Sequence, residues 1–483
     1  MSSNILLVIL DSVRARNVSF GGYANDTTPF CSEFADRATT YTQARSPGAK
    51  SLTSHTSIFT GLSVEQHNIT SADDRLDSRF SIFERLRSEN YTTGVFSENT
   101  WLTDVNVGLK DGFDTIEGPR NLPFPAAVDP KSFVAEEGRG QYVEYLKKSF
   151  TESSSAQSIL NGLATKLAWD YPWLLPDSLQ VSTAADIYAD LFLDWERKQS
   201  GPWAACINFM DAHIPYEPDE EFDRWGGSDA REIQDGLRDL KWVFLGGQEP
   251  WWKRRALEGL YDGAIAQMDA QLRRIVNTLD ERGVLDDTFV VITSDHGEGF
   301  GEYSDIRSTR VAEHGVAIDD AITHVPLLVK YPGQTESETV TEPATLTRFP
   351  EATRAVVEDE AGPEIFVPEG PVVVSAVGLN GALKTRAADY IDDLKPFTAT
   401  ARAVVTLEDG RIFKDITWRN QSRRMEVIDS QTSYTVGAPP KSVRSKIKES
   451  FDDMENLDVR TKGSGVEGAS DATRKRLKDL GYI

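Results

Sequence analysis

Two continuous apolar runs, each ending at polar residues, constrain the fold of this chain more than any other feature. Residues Ile5 to Leu10 are six consecutive aliphatic residues followed by Asp11, and the run Thr288–Thr293 (TFVVIT) is followed by Ser-Asp-His-Gly. An unbroken apolar run of this length is typical of a strand that is buried on both faces in a parallel sheet. Ligands of such sheets bind at the carboxyl ends of strands, so the residues after both runs are candidates for chemistry.

Other segments extend the same pattern. Residues Arg255 to Leu279 carry apolar side chains at roughly helical spacing, which predicts an amphipathic helix packed on the sheet. Trp203 to Phe209 and His324 to Lys330 predict two further buried strands. Strands that alternate with helices in this way predict a doubly wound α/β domain.

The pattern changes along the chain and predicts three parts. Residues 1–335 carry the α/β pattern, and a Pro-, Ser- and aromatic-rich segment at about 121–179 predicts a helical insertion, either a substrate-selecting lid or a packing element. Residues 336–440 show short alternating strands and an Asp-Gly turn, which predict a small C-terminal α+β subdomain. Residues 441–483 form a charged segment, expected to wrap the surface as a tail and dock by its final LKDLGYI.

The charge balance and the cysteines exclude several classes of partner and site. The 483 residues include 52 Lys and Arg against 76 Asp and Glu, a formal net charge of −24, and such a surface repels nucleic acid and anionic lipid. The same acidic excess resembles proteins of salt-loving archaea, an origin that we expect here. The two cysteines allow no disulfide framework or thiolate metal cluster. The first apolar run is too short for a signal or membrane span, so we expect a cytoplasmic protein.

The run SDHGEGFGE indicates a metal site. Asp295 and His296 stand side by side at a predicted strand end, and the glycines that follow let the backbone turn sharply around a ligand. One carboxylate and one imidazole suit a divalent metal, and Asp11 from the other strand end would complete the site. A tight loop with a capping Asp is the alternative interpretation.

The run KSLTSHTSIFTGL indicates a hydroxyl at the start of a helix. Ser51 and the Ser, Thr and His residues after it, including His55, precede an apolar Ile-Phe pair. A helix N-terminus stabilises an anion and lowers the cost of an alkoxide, which a nucleophile facing a phosphoryl or sulfuryl group needs. The alternative is a capped helix without chemistry, the commoner outcome of such runs.

The order of these motifs resembles the sulfatase branch of the alkaline phosphatase superfamily. A strand-ending Asp is followed by S-x-T-S-H-x-S-I-F-T-G, M-D-x-H-x-P-Y, S-D-H-G-E, H-G and V-P-L-L-V-x-x-P-G, between residue 4 and about residue 333. The resemblance implies an alkaline-phosphatase-like fold, with a mostly parallel sheet flanked by helices and a smaller C-terminal subdomain. It also implies a metal-dependent hydrolase of sulfuric or phosphoric esters.

By the same resemblance, four residues would bind the metal. They are Asp11, Asp295, His296 and Ser51, and Ser51 would also be the nucleophile. The Asp-His pair resembles that of phosphonate monoester hydrolases more than the Asp-Asn pair of calcium-type sulfatases. Manganese, zinc and calcium all stay open. Ser12 replaces the second Asp that usually follows Asp11, which removes a carboxylate ligand of a classical calcium site.

The resemblance also implies roles for residues around the reacting group. His213 matches the histidine that protonates the leaving group, His314 matches a Lys or His that contacts the transferred oxygens, and Asn99 resembles a further polar contact to those oxygens. Formylglycine is not expected at Ser51, because Thr53 stands where that motif has Pro and His55 stands where it has Arg. His55 is nevertheless a candidate catalytic residue.

The leading hypothesis is a sulfatase-family hydrolase in which a serine hydroxyl attacks sulfur or phosphorus in line. An unmodified hydroxyl suits phosphoryl transfer better than sulfuryl transfer, so phosphodiesters and phosphonates are included among the substrates. Two alternatives remain: a transferase that passes a phosphoryl-linked group to a sugar or lipid, and an inactive anion-binding protein. The expected partner is a small-molecule or glycan ester, and a homo-oligomer is compatible with the sequence.

Overall fold

Strands and helices alternate along most of the chain. The computed structural model describes residues 3–119 and 184–463, except for 238, 240, 313, 380, 453 and 455, and also residues 147, 465 and 474. The predicted insertion at 121–179, apart from residue 147, and the final LKDLGYI lie outside the described residues.

The strands belong to one large sheet, one smaller sheet and three two-stranded ladders. They are β1 Asn4–Leu10, β2 Thr39–Tyr41, β3 Ala44–Arg45, β4 Asp74–Leu76, β5 Thr92–Ser97, β6 Thr115–Glu117, β7 Trp203–Phe209, β8 Thr288–Thr293, β9 Phe300–Ser304, β10 Thr309–Ala312, β11 Leu327–Lys330, β12 Glu338–Val340, β13 Ala344–Thr345, β14 Val372–Ala376, β15 Ala401–Glu408, β16 Arg411–Trp418, β17 Gln421–Val427, β18 Ser433–Val436 and β19 Arg460–Lys462.

The α-helices vary from single turns to the 24-residue helix α10. They are α1 Pro29–Phe34, α2 Ser51–Thr60, α3 Val64–His67, α4 Ile82–Ser88, α5 Thr100–Thr103, α6 Ala184–Glu196, α7 Gly227–Asp235, α8 Trp242–Leu245, α9 Trp251–Ala256, α10 Glu258–Glu281, α11 Asp320–Thr323, α12 Phe349–Val357, α13 Gly381–Ala388 and α14 Pro440–Asp452.

The large sheet has eight strands in the order β12-β2-β11-β8-β1-β7-β5-β6. Strand β1 pairs in parallel with β7 and β8, and β5 pairs in parallel with β6 and β7. Among the described strands of this sheet, only β11 runs antiparallel to both of its neighbours. The prediction of a mostly parallel sheet is therefore confirmed, with β1 at its centre.

Both faces of the large sheet are covered, which explains the unbroken apolar runs. Along β1, Leu6 and Val8 pack into a core that includes α6 and α10, while Leu7 and Ile9 pack into a second core that includes α2 and α4. Successive side chains of a strand point to opposite faces, so a strand between two layers of helices is apolar at every position. The predicted amphipathic helix is present as α10.

The C-terminal part forms a separate antiparallel sheet in the order β14-β15-β16-β17-β18. The hairpin between β15 and β16 turns at Asp409 and Gly410, whose φ angles of 50° and 74° are the positive values that a two-residue type I′ turn requires. One face of this sheet packs on Ile318, in the loop after β10, and on Ile322 of α11, and the other face packs on α14. The predicted smaller C-terminal subdomain is confirmed, and the structure shows that its sheet is antiparallel.

Three elements lie outside the ranges predicted for their parts. Strand β12 pairs with β2, and α12 packs in the core of the large sheet, so the large domain extends past residue 335. Helix α14 covers the small sheet, although the charged segment from residue 441 was expected to form a surface tail. The three-residue β12 has two exposed side chains and carries little periodic signal. Helix α14 does show helical spacing, with Val443, Ile447 and Phe451 at every fourth position, but polar and charged residues fill the positions between them.

Candidate active site

The carboxyl ends of β1 and β8 bring three candidate ligands together. Asp11, Asp295 and His296 are fully buried, and one ligand atom from each lies within 4.8 Å of the others. His296 Nδ1 donates a hydrogen bond to the Gly297 carbonyl oxygen (2.9 Å). His296 Nε2 therefore faces the carboxylates, 3.4 Å from Asp295 Oδ2 and 3.9 Å from Asp11 Oδ1.

The oxygens of these carboxylates differ in their hydrogen bonds. Asp295 Oδ1 accepts from the backbone N–H groups of Ser12 (3.4 Å) and His296 (3.0 Å). Asp295 Oδ2 is buried and accepts no hydrogen bond of ordinary geometry from the described residues. A buried carboxylate oxygen without a donor is costly, and a cation would satisfy it.

Local backbone geometry positions these ligands. Ser12 has a left-handed φ of 65°, and its hydroxyl donates to Asp11 Oδ1 (2.9 Å), so the residue that replaces the expected second Asp orients the first one. At Gly297, a Cβ would lie 2.1 Å from the Ala321 carbonyl oxygen. Only glycine permits the loop after His296 to pass this close to α11.

Ser51 lies at the N-terminus of α2, beside the three ligands. Its Oγ is 3.3 Å from His296 Nε2, and the preceding Lys50 is extended (φ −157°, ψ 154°), so the helix begins at the serine itself. The side chain is fully buried. Unpaired N–H groups and the helix dipole favour negative charge at this end of a helix.

His55 lies one turn further along α2 and connects it to β7. Its Nδ1 donates to the Ser51 carbonyl oxygen (2.8 Å), and its Nε2 lies 2.9 Å from Asn208 Oδ1. Asn208 Nδ2 in turn donates to Asp11 Oδ2 (3.3 Å). Both ring nitrogens of His55 are therefore engaged with fixed oxygens, and neither points at Ser51 Oγ.

Asn99 approaches the site from the end of β5. Its Nδ2 donates to Asp11 Oδ2 (3.2 Å), and its Oδ1 accepts from the Trp101 backbone N–H (3.1 Å) at the start of α5. The structure thus places Asn99 against a candidate metal ligand. With Asn208 and Ser12, it supplies three donors that hold the Asp11 carboxylate in one orientation.

Two further histidines, His314 and His213, lie beside His296. The His314 ring stacks on the His296 ring with 4.1 Å between centroids, and the His213 ring is 5.2 Å from that of His314. His213 Nδ1 donates to the Ile214 carbonyl oxygen (3.1 Å). Every sequence-predicted site residue therefore lies in one cluster at the end of the large sheet.

Burial and mutual charge perturb the groups of this cluster. Burial raises the pKa of Asp295, and the neighbouring Asp11 raises it further. Burial opposes the charge of Asp11, but the histidines led by His296 hold its pKa below the ordinary value. Burial and the adjacent His296, His213 and Lys241 hold the pKa of His314 well below its ordinary value. Such opposed shifts in one cluster are typical of functional sites.

Comparison with known proteins identifies the family. The model of the sulfatase family matches residues 3–352, most of the chain. The chain belongs to the sulfatase family. It is 23% identical over 367 residues to human iduronate 2-sulfatase, covering 69% of this chain and 60% of that protein, and 22% identical over 355 residues to the arylsulfatase of Clostridium perfringens, covering 69% of each.

Solved structures show the same fold for this sulfatase-family chain. The crystal structure of a phosphonate monoester hydrolase of Agrobacterium radiobacter superimposes with a TM-score of 0.59 at 17% identity, covering 88% of this chain and 89% of that one. The fold expected from the sequence is thereby confirmed, and the family model confirms the resemblance to sulfatases that the sequence motifs indicated. The comparisons lend no support to an origin in salt-loving archaea. Within the described residues, no helix is long and apolar enough to cross a membrane.

Sequence reasoning missed two polar residues of this sulfatase-family site, Asn208 and Glu298. Asn208 lies inside the buried strand β7, and Glu298 lies between two glycines of the run SDHGEGFGE. A fully buried amide in an otherwise apolar strand needs a polar partner, so Asn208 carried a usable signal. Glu298 carried none, because its partners lie on distant segments.

Proposed function

We propose that this chain is a metal-dependent hydrolase of sulfate, phosphate or phosphonate esters that uses the Ser51 hydroxyl as its nucleophile. One observation carries the proposal: Ser51 Oγ lies at a helix N-terminus and 3.3 Å from His296 Nε2, beside two buried carboxylates. The arrangement combines a nucleophile, an anion-stabilising helix end and a ligand set.

The residues fit a divalent metal. Asp11, Asp295 and His296 would hold it, and the Asp295 Oδ2 atom supplies an oxygen that no described donor satisfies. Two carboxylates with one imidazole suit manganese, zinc or calcium. When bound, such an ion would polarise the ester and favour ionisation of the serine hydroxyl. Ser51, whose Oγ lies 3.3 Å from His296 Nε2, would be a fourth ligand.

The chain's own residues supply the remaining steps. Ser51 Oγ forms a bond to sulfur or phosphorus while the bond to the ester oxygen breaks, and His213 donates a proton to the departing alcohol from Nε2. His314 contacts the equatorial oxygens. Water then gives a proton to His213 Nε2 and attacks sulfur or phosphorus, and the bond to Ser51 Oγ breaks. Ser51 Oγ regains a proton from solvent as the acid product leaves. Asn99 and His55 act here as positioning residues, for Asp11 and for the first turn of α2.

The local sequence favours an unmodified serine. The Thr53 hydroxyl donates to the Lys50 carbonyl oxygen (3.0 Å), and His55 bonds to the Ser51 carbonyl oxygen, where the formylglycine motif has Pro and Arg. An unmodified hydroxyl suits phosphoryl transfer, while the named relatives include sulfatases acting on iduronate and aryl esters. We therefore keep both ester classes, carried by a small molecule or a glycan. Cytoplasmic location and self-association stay predictions.

The test is hydrolysis of four matched aryl substrates: a sulfate, a phosphate monoester, a phosphodiester and a phosphonate, each with manganese, zinc or calcium in high and low salt. We expect metal-dependent turnover that falls by at least about 10³-fold in Ser51→Ala. The matched control is Ser57→Ala, which removes a buried hydroxyl of the same helix that bonds to His67 (3.0 Å).

Each outcome discriminates between functions. Turnover that survives in Ser51→Ala contradicts the serine mechanism. Transfer to a sugar or lipid acceptor without hydrolysis indicates the transferase, and anion binding without turnover under any metal indicates an inactive binding protein.

A further inference from the structure

Glu298 is a fully buried carboxylate next to the proposed site, and the steps above do not use it. Its Oε1 accepts hydrogen bonds from Arg254 Nη2 (3.1 Å) and from the Gly299 backbone N–H (2.8 Å). Its Oε2 lies 3.5 Å from His314 Nδ1 and accepts no hydrogen bond of ordinary geometry from the described residues. One oxygen of this carboxylate is thus held, and the other faces a candidate catalytic histidine.

Arg254 fixes the Glu298 carboxylate from behind. The arginine lies on α9 and is fully buried, its Nε donates to the Gly299 carbonyl oxygen (3.0 Å), and its guanidinium lies 4.9 Å from the centre of the Phe300 ring. A planar guanidinium held at several points has little freedom. The carboxylate that it binds is therefore presented to His314 in one orientation.

The position of His314 makes this contact relevant to the reaction. Its ring is stacked on His296, with planes 28° apart and centroids 4.1 Å apart, so the stacking sets the plane of the ring beside a candidate metal ligand. The Glu298 carboxylate lies 3.5 Å from Nδ1 and favours the ring rotation that keeps this nitrogen turned toward it. A carboxylate that accepts from one imidazole nitrogen commonly determines how the other is used.

We propose that Glu298, held by Arg254, is a positioning residue that orients His314 toward the group being transferred. The inference rests on the proposed function, because it assigns a partner to one of the residues of that site. A purely structural role for the Arg254–Glu298 pair is the alternative, and it predicts that only stability depends on Glu298.

The experiment compares wild type with Glu298→Gln, His314→Gln and the double variant, all loaded with the metal that gives turnover. Glutamine keeps the shape and still accepts from Arg254, but its amide N–H₂ cannot accept from His314. We expect kcat of Glu298→Gln to fall about 10- to 100-fold with little change in KM. We expect the double variant to match His314→Gln, because the two residues act as one unit.

The matched control is Glu196→Gln. Glu196 is also a buried glutamate paired with an arginine, Arg282. This pair lies at the C-terminal end of α6, which precedes the amino end of β7, whereas the site lies at the carboxyl ends of the strands. A fall in kcat equal to that of the control, or a double variant whose loss is the product of the two single losses, would overturn the inference. If Glu298→Gln does not fold, Glu298→Asp keeps the charge and withdraws it from His314, and the same comparison applies.

A second readout does not depend on turnover. In histidine-labelled protein, the ring ¹H–¹⁵N signals of His314 are assigned by their loss in His314→Gln. We expect a protected Nδ1–H signal that is lost or shifted in Glu298→Gln and unchanged in Glu196→Gln. An unchanged signal overturns the contact, whatever the enzyme turns over. A shifted signal in a protein without turnover supports the contact and counts against the proposed function alone.

Discussion

Two buried charged clusters in this molecule are built in opposite ways. The first cluster lies where β16 of the small sheet meets α11, a contact called the seam below. There the Lys414 ammonium donates hydrogen bonds to the Ile318 carbonyl oxygen (2.6 Å), Asp320 Oδ1 (2.7 Å) and Thr323 Oγ1 (3.0 Å). At the end of the large sheet, Asp11 and Asp295 are two like charges that converge, and one oxygen of Asp295 has no described donor. Asp320 Oδ2 likewise accepts no hydrogen bond from the described residues, so the two clusters differ in charge: Lys414 neutralises Asp320, whereas Asp11 repels Asp295 until a cation binds.

The pKa shifts of the two clusters point in opposite directions. Burial favours the neutral form of Asp320, but Lys414 and Arg45 outweigh it and hold its pKa below the ordinary value. Burial and Asp11 together raise the pKa of Asp295. The negative charge of Asp320 therefore stabilises the folded protein, and that of Asp295 destabilises it until a cation is bound.

The largest effect that separates the clusters is expected from Asp295→Asn. Turnover should fall by about 10³-fold or more, because the ligand charge contributes several kcal/mol of stabilisation to the reacting group. The metal-free protein should at the same time gain about 1–2 kcal/mol in the free energy of unfolding at pH 8, because a repelled, buried charge is removed. Denaturant unfolding with a chelator present measures the second effect.

The matched control for that variant is Asp320→Asn, which should lose stability under the same conditions. A metal-free Asp295→Asn protein that is less stable than wild type would show that the acidic pair is structural, and the contrast between the two clusters would fail.

Lys414→Met tests the seam. The variant leaves the Asp320 carboxylate, whose side chain is 16% exposed, without its cation, so we expect a loss of up to about 3 kcal/mol in the free energy of unfolding. Adding Asp320→Leu should restore most of the loss, since an apolar pair of similar volume replaces the ion pair. Urea unfolding of the single and double variants measures both. If the double variant is as unstable as the single one, the loss comes from the missing salt bridge and not from the uncompensated charge of Asp320.

Added divalent metal should stabilise the folded protein through the Asp11–Asp295 cluster and not through the Lys414 cluster. A divalent ion that binds only the folded protein raises the free energy of unfolding by about 2.7 kcal/mol at a hundred times its Kd. We expect this gain in wild type and in Lys414→Met, and its loss in Asp295→Asn. Thermal unfolding across a series of manganese, zinc and calcium concentrations measures it. Equal gains in all three proteins would place the bound ion elsewhere.

The sequence made one of these clusters predictable and hid the other. Asp11 and Asp295 follow apolar runs, and adjacent parallel strands bring their ends together, so a local pattern was enough. Ser51 needed the family motif, because nothing local places α2 beside β8. Lys414 lies in a strand of the small sheet and bonds across 94 residues to Asp320, a pairing that strand periodicity does not encode.

The smallest effect concerns acid unfolding. The pKa of Asp320 is lower in the folded protein than its ordinary value of about 3.9, so its contribution is complete above about pH 5 and is lost as the pH falls through the folded-state pKa. The difference in unfolding free energy between wild type and Asp320→Asn should therefore shrink by about 1–2 kcal/mol between about pH 5 and pH 3. Denaturant unfolding at half-unit pH intervals follows the difference. If the difference stays constant over this range, Asp320 stabilises the protein through hydrogen bonds that do not depend on its charge. The seam would then be an ordinary polar contact.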